Sequence, residues 1–321
     1  MKRLVLLWVA LLLAGLSKES PGEIQRVWTS SDGKKLTGTL EDQGDDWVKL
    51  RIKDKIYKLK IERLSRADKD YLELQADIKR CLKLAVNSSL IKLRLGGLFY
   101  QVDKPEPYSG WTKRMYDSGQ PKELGRFKDG KRHGLWRSWH ENGQKKREGS
   151  YKDGKQNGLW AGWNENGQKK AEVSLKDGKQ LLRTSFYGNG QKKDEIILKD
   201  GKPDGLWAAW HANGQKKAEG TYKDGKQNGL LRMWHMNGRK KTEGIFKDGK
   251  PDGLLTGWYE DGQKMLEGVL KDGEEISARY WNSIGEEVEA PSDSGKKSAL
   301  EQAVGIESLE SKGEEVETPE E

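Results

Sequence analysis

The stretch Gly134–Asn157, GLWRSWHENGQKKREGSYKDGKQN, is followed at once by a second GLW at Gly158–Trp160. The phrase returns along most of the chain. GWTKRMYDSGQPKELGRFKDGKRH (110–133) precedes it, and GLWAGWNENGQKKAEVSLKDGKQ (158–180) and LLRTSFYGNGQKKDEIILKDGKPD (181–204) follow. Then come GLWAAWHANGQKKAEGTYKDGKQN (205–228), GLLRMWHMNGRKKTEGIFKDGKPD (229–252), GLLTGWYEDGQKMLEGVLKDGEE (253–275) and a partial copy, ISARYWNSIGEEVE (276–289). A period of 24, slipping to 23 twice, marks a repeat array. In such an array one copy cannot bury its own apolar face, and stacking copies can.

Each copy holds two turn signals. One is Asn-Gly or a relative, at Gly143, Gly167, Gly190, Gly214 and Gly238; the other is Asp-Gly, at Gly130, Gly154, Gly178, Gly201, Gly225 and Gly249. Such pairs favour turns whose twist matches paired strands, and the runs between them have ordinary strand length. One repeat therefore reads as two antiparallel strands, and the array as a long β-meander. Trp139, Trp163, Phe186, Trp210, Trp234, Trp258 and Trp281 form one column of recurring positions. Phe127, Tyr151, Leu175, Leu198, Tyr222, Phe246 and Leu270 form another. Aromatic pairs across strands contribute roughly 0.2–1 kcal/mol each, so Trp139, Trp163, Trp210, Trp234 and Trp258 are expected to act as packing mortar rather than as a ligand-stacking surface. One question stays open. Trp136 and Trp139 are three apart, which puts them on opposite faces of a regular strand, so either a bulge intervenes or both faces are partly apolar. The Lys pairs 145–146, 169–170, 192–193 and 216–217 discourage edge-to-edge pairing with neighbours.

The phrase YKDGKQNGLWRSWHENG resembles the MORN repeat with its Gly-Lys-x-x-Gly centre. Residues 97–281, with the lead-in GLFYQVDKPEPYSG (97–110), are similar to the bacterial YwqK-type arrays of MORN variants. The resemblance implies a single-layer β-sheet used as a protein scaffold, with acidic-lipid binding as a further property of some members. YwqK-type proteins carry an antitoxin label, which would require a toxin as partner. The copy at 181–204 lacks the opening Gly-Leu-Trp, so a bend is expected there.

Upstream of the array, residues 24–64 alternate apolar and polar positions between turns, giving expected strands near 24–29, 35–41, 46–52 and 55–61. Ser65, with Asp68 three residues on, reads as a helix N-cap before Tyr71, Leu74, Ile78 and Leu82 at helical spacing. RVWTSSDGKKLTGTL, DDWVKLRIKDKIYKLKIERLS and ADKDYL resemble the SLA homology domain, an SH3-like barrel. Trp28, Gly33, Leu40, Val48, Leu50, Leu64, Ser65, Asp68 and Tyr71 stand at the characteristic positions. The resemblance implies an adaptor that binds peptides or proteins; ubiquitin, self-association and cytoskeletal connections attach to the family. It makes Trp28, Trp47 and Tyr57 candidate peptide-binding residues, against a barrel that merely packs its aromatics.

Charge divides the chain. Residues 1–109 carry 21 Lys/Arg against 15 Asp/Glu, residues 110–281 carry 35 against 24, and residues 282–321 carry 3 against 12. A basic body with an acidic end can bind acidic partners, or the end can simply solvate and repel. Lys2 and Arg3 precede the apolar run Leu4–Leu16, the order of a secretory signal and short of the ~20 residues of a membrane span. Cleavage is expected after Ser17, with an uncleaved anchor as the alternative. The single cysteine, Cys81, excludes an intramolecular disulfide.

The chemistry of an enzyme does not surface. There is no GxxxxGK[ST], Ser elbow or HExxH. His140, His211 and His235 share one repeat position, but no third ligand recurs beside them for a catalytic zinc; no cofactor is expected. Nucleic acid is disfavoured because the Trp residues are needed for packing and export removes that partner. The expected organisation is a signal (1–17), an SH3-like domain (18–71), a helical connector (72–96), the array (97–289) and an acidic disordered tail (290–321). The expected fold is mainly β with one helix. The expected function is that of an exported, non-enzymatic adaptor or scaffold; the alternatives are an antitoxin or immunity protein, and attachment to an anionic membrane or envelope polymer.

Overall fold

The computed structural model describes residues 25–53, 55–94 and 96–292. The expected signal segment lies outside the described residues, as does the expected tail beyond Ser292. The described residues are mainly β, with one α-helix and a long antiparallel hairpin meander.

Strands β1 (Gln25–Thr29), β2 (Lys35–Gln43), β3 (Trp47–Ile52) and β4 (Lys55–Lys60) form an antiparallel meander in chain order. Alternation drives it: Val48, Leu50 and Ile52 are buried while Trp47, Lys49 and Arg51 between them are half-buried. Gly33, at φ 82°, closes the Asp32-Gly33 turn between β1 and β2. A 3-10 turn at Ile61–Arg63 then brings Leu64 back to an antiparallel bridge with Ser30, so the meander curls toward its own first strand. Trp28, Val48, Leu50, Ile52, Leu64 and Leu72 fill the interior.

Helix α1 spans Arg66–Leu84, and the Ser65 hydroxyl accepts the Asp68 N–H as the cap. The Asp68 carboxylate is buried yet fully occupied. It accepts from the Arg26 guanidinium at 2.8 Å, the Thr29 N–H at 2.7 Å and the Ser65 hydroxyl at 2.9 Å. Burial opposes its ionisation, but the Thr29, Arg26 and Ser65 donors outweigh that and hold its pKa below the usual carboxylate value. The helix does not extend through the connector expected at 72–96. It starts at the Ser65 cap and stops where Ala85 turns extended, and Val86–Asn87 then pairs in parallel with Thr112–Lys113.

Packing divides the described residues into two compact units. Gly110–Leu124 and Trp139–Gln144 belong with the described residues up to Ile91; Lys92–Ser109, Gly125–Ser138 and the described residues from Lys145 onward form the other. The cause is the apolar stripe of α1. Ile78, Leu82 and the nearby Ala85 cluster with Leu124, Trp111 and Trp139 inside the first unit.

In the second unit each strand pairs antiparallel with the next from Lys145–Lys152 to Glu274–Trp281. The Asp-Gly tips are two-residue turns with both residues left-handed, as at Asp153 (φ 51°) and Gly154 (φ 86°), the geometry that suits twisted hairpins. At the other edge the Asn-Gly loops are tied by their own side chains. Asn213 Oδ1 accepts the Gln215 N–H at 3.0 Å, and Gly214 N–H donates to His211 O at 2.9 Å. Successive copies are also stitched at both edges. Gly154, Gly178, Gly225, Gly249 and Gly273 donate to carbonyls of the preceding hairpin at 2.7–2.9 Å, while Asn189, Asn213 and Asn237 amides reach carbonyls of the following loop at 2.7–3.2 Å.

Candidate functional site

Alternation gives the array two unlike faces. In the strand Lys202–Trp210, Trp207 and Ala209 point one way and Leu206, Ala208 and Trp210 the other. On the first face Leu231 and Leu255 are wholly buried, and Phe246, Leu270, Met233 and Ala218 pack with them. Toward the start of the array the same face is a run of edge-on rings. Phe127 meets Trp136 at 5.5 Å, Trp136 meets Tyr151 at 5.4 Å and Tyr151 meets Trp160 at 5.1 Å.

A glycine beneath each of the two tryptophan rings makes room. The Trp136 ring lies on Gly125 and the Trp160 ring on Gly149, and their Nε1–H groups donate to Arg126 O at 3.1 Å and Ser150 O at 3.0 Å. This face is spent on structure.

The column rings lie on the opposite face, which settles the question raised by Trp136 and Trp139: both faces are partly apolar. A bulge does recur, between Gly162 and Trp163, Ala209 and Trp210, Met233 and Trp234, and Gly257 and Trp258. It places the extra residue in the partner strand and leaves alternation through the Trp strand intact.

The mortar around these rings is a lysine rather than a second ring. Lys145 stands 4.8 Å over Trp163, Lys192 5.0 Å over Trp210, Lys216 5.8 Å over Trp234 and Lys240 5.5 Å over Trp258. Each Lys also pairs with the Glu three residues on: Lys145–Glu148 at 3.1 Å, Lys192–Glu195 at 2.8 Å, Lys216–Glu219 at 2.6 Å, Lys240–Glu243 at 2.8 Å. A cation over a ring contributes about 0.5–1 kcal/mol at an exposed site.

Glu219 and Glu243 have lowered pKa values, first through the Lys216 and Lys240 hydrogen bonds and then through Arg232. Burial opposes ionisation of Glu148, and Arg137 and Lys145 together still lower its pKa. The expected mortar column is therefore a ladder of ring, ammonium and carboxylate. Trp139 departs from it, packing in the helix cluster of the first unit.

The shared histidine position has a structural task. His211 Nε2 lies 3.0 Å from Trp234 O, and His235 Nε2 lies 3.0 Å from Trp258 O. Tyr187 and Tyr259 hydroxyls donate from the same repeat position to Trp210 O and Trp281 O, each at 2.8 Å. Among the described residues no group of three His, Cys, Asp or Glu is placed to hold a metal ion.

Between the ladder and the Asp-Gly tips runs a feature the sequence reading missed. Leu182 pairs with Ile197, Leu206 with Thr221, Leu230 with Ile245 and Leu254 with Val269. These side chains share the face of the Trp column, and apart from the half-buried Leu182 and Thr221 they stay in solvent: Leu206 is 66% exposed, Leu254 54% and Ile245 47%. Two residues on, Lys199, Lys223, Lys247 and Lys271 stand exposed along the same face. The result is an aliphatic row with a cationic rim. Its signal was the second residue of each GLW or GLL, alternating with the buried third.

In the small domain the three candidate peptide-binding residues are not brought together. Trp28 is a core residue, 1% exposed, with Nε1–H donated to Gly38 O at 3.0 Å and its ring edge-on to Tyr71 at 5.7 Å; it offers no surface to a ligand. Tyr57 pairs with Leu50 and packs against the interior. Trp47 lies on the outer face, with Lys58 4.4 Å and Lys49 5.2 Å from its ring and Lys60 opposite. Ile56 beside them is exposed. Of the three, Trp47 alone belongs to an aromatic and basic surface.

A family model described as a MORN repeat variant matches residues 132–153 and 203–224. Each match covers one Asn-Gly hairpin and ends at the following Asp-Gly tip. No curated protein matches the chain. MORN-type hairpins suggest a repeat-based binding or scaffold role.

Proposed function

We propose that the chain is an exported, non-enzymatic protein-binding scaffold whose outer array face is the binding surface. The observation that carries this reading is the aliphatic row. Leu, Ile and Val side chains, each left in solvent, recur in register through successive hairpins held rigid by a separate buried face. Contiguous exposed apolar surface of this kind marks interaction sites, and the cationic rim selects partners that carry carboxylates beside apolar side chains. The Trp47 surface, with Lys49, Lys58 and Lys60, supplies a second contact for an acidic peptide. Export is supported by Lys2, Arg3 and the Leu4–Leu16 run.

The test is capture from envelope fractions with the full chain and with Leu206, Leu230, Ile245 and Leu254 each replaced by Thr. The reading expects the variant to melt like the wild type and lose the captured protein. Equal capture by both would refute it.

A further inference from the structure

We infer that the acidic segment 293–321 of this chain docks on the aliphatic row of its own array. The docking does not rest on the scaffold reading above. Three observations carry it.

The first is the row. Leu206, Leu230, Ile245, Leu254 and Val269 are between 40% and 66% exposed, on strands whose other face carries the buried core. Aliphatic side chains in this density on one face call for a cover. The second is charge. Lys199, Lys223 and Lys247 rim the row, with Lys271 paired to Asp252 at 2.9 Å beside them, whereas residues 293–321 carry 9 Asp/Glu against 3 Lys. A second copy of the chain laid face to face would set lysine rim against lysine rim, so its own acidic segment is the better complement. The third is the segment's pattern and reach. Leu300, Val304, Ile306 and Leu309 are interleaved with Glu301, Glu307 and Glu310: aliphatic side chains for the row, carboxylates for the rim. From Ser292, the last described residue, the chain to Leu300 reaches at most about 26–29 Å at ~3.3–3.6 Å per residue. The strand Gly229–Trp234 lies four strands back from Glu274–Trp281, a distance of about 19 Å at ~4.8 Å per strand. Leu300 therefore reaches the middle of the row with chain to spare.

The experiment uses the full chain and a glutamate-specific protease, following cleavage after Glu301, Glu307 and Glu310. Docking expects these cuts to be at least tenfold slower in the wild type at low salt than in the four-threonine variant. The protection should fade at high salt, because exposed charges are then screened. A second variant, Lys223→Glu with Lys247→Glu, keeps the row and should also release the segment. Equal cleavage of wild type and both variants at low salt would overturn the inference. If that occurs while the four-threonine variant still loses its captured protein, docking is wrong and the scaffold reading stands. If the segment is protected but capture is unaffected by the threonines, docking stands and the row is not the partner surface.

Discussion

Two glycines of adjacent strands should respond in opposite ways to the same substitution. Gly149 lies under the Trp160 ring, and a Cβ built there falls among the ring atoms. Gly162 meets nothing nearer than Lys146 O at 3.8 Å. In Gly149→Ala the ring has to move, at about 1–3 kcal/mol for overpacking. Displacing it also breaks the Trp160 Nε1–H bond to Ser150 O, a further loss of about 0.5–1.5 kcal/mol. The expected destabilisation is thus about 2–4 kcal/mol. Gly162→Ala should be neutral or stabilising by up to about 1 kcal/mol, since alanine has less freedom to lose on folding. Repeat arrays open locally, so the assay is hydrogen exchange across residues 145–163 together with a thermal melt. Gly149→Ala should speed exchange in both strands and Gly162→Ala should not. Equal effects from the two, or no effect from Gly149→Ala, would refute the claim that a glycine seat fixes the ring.

Three further outcomes follow from the two-faced array. Leu231→Ala, at a wholly buried site, should cost about 2–5 kcal/mol. Trp210→Ala, at a half-buried ring under Lys192, should cost clearly less, and chemical denaturation of the two variants checks the order. Tyr187→Phe removes the hydroxyl donated to Trp210 O and should lower stability by about 0.5–1.5 kcal/mol without changing the far-ultraviolet spectrum. The Lys-paired Glu219, Glu243 and Glu267 have pKa values lowered from 4.5. Their stabilisation is complete above the unfolded-state value and is lost as pH falls through the lower folded-state values. The melting temperature should therefore decline below about pH 4.5, and Glu→Gln at all three positions should flatten that decline.

Much of the fold was legible because turn chemistry and alternation are local. Asp-Gly and Asn-Gly fixed the hairpin ends, and Ser65 with Asp68 fixed the helix start. The roles of individual rings were less legible, since a column of equal residues shows recurrence but not facing. Trp139, Trp163 and Trp210 look alike in sequence, yet Trp139 packs under helix α1 and the other two lie beneath lysines. Trp28 resembled a ligand-facing aromatic and is buried because Val48, Leu50 and Leu64 converge on it. The aliphatic row was hidden for a different reason. Exposed Leu206 and buried Leu231 sit in nearly identical phrases, GLW and GLL, one position apart in phase.

The division of labour between the faces is open to one measurement. In a Cys81→Ala background terminated after Ser292, thiol-labelling rates are compared for Leu206→Cys and Leu231→Cys, alone and with the captured partner. The account predicts slow labelling of Leu231→Cys throughout. It predicts fast labelling of Leu206→Cys alone and strong protection when the partner is added. A Leu206→Cys thiol that labels equally fast with the partner bound would contradict it.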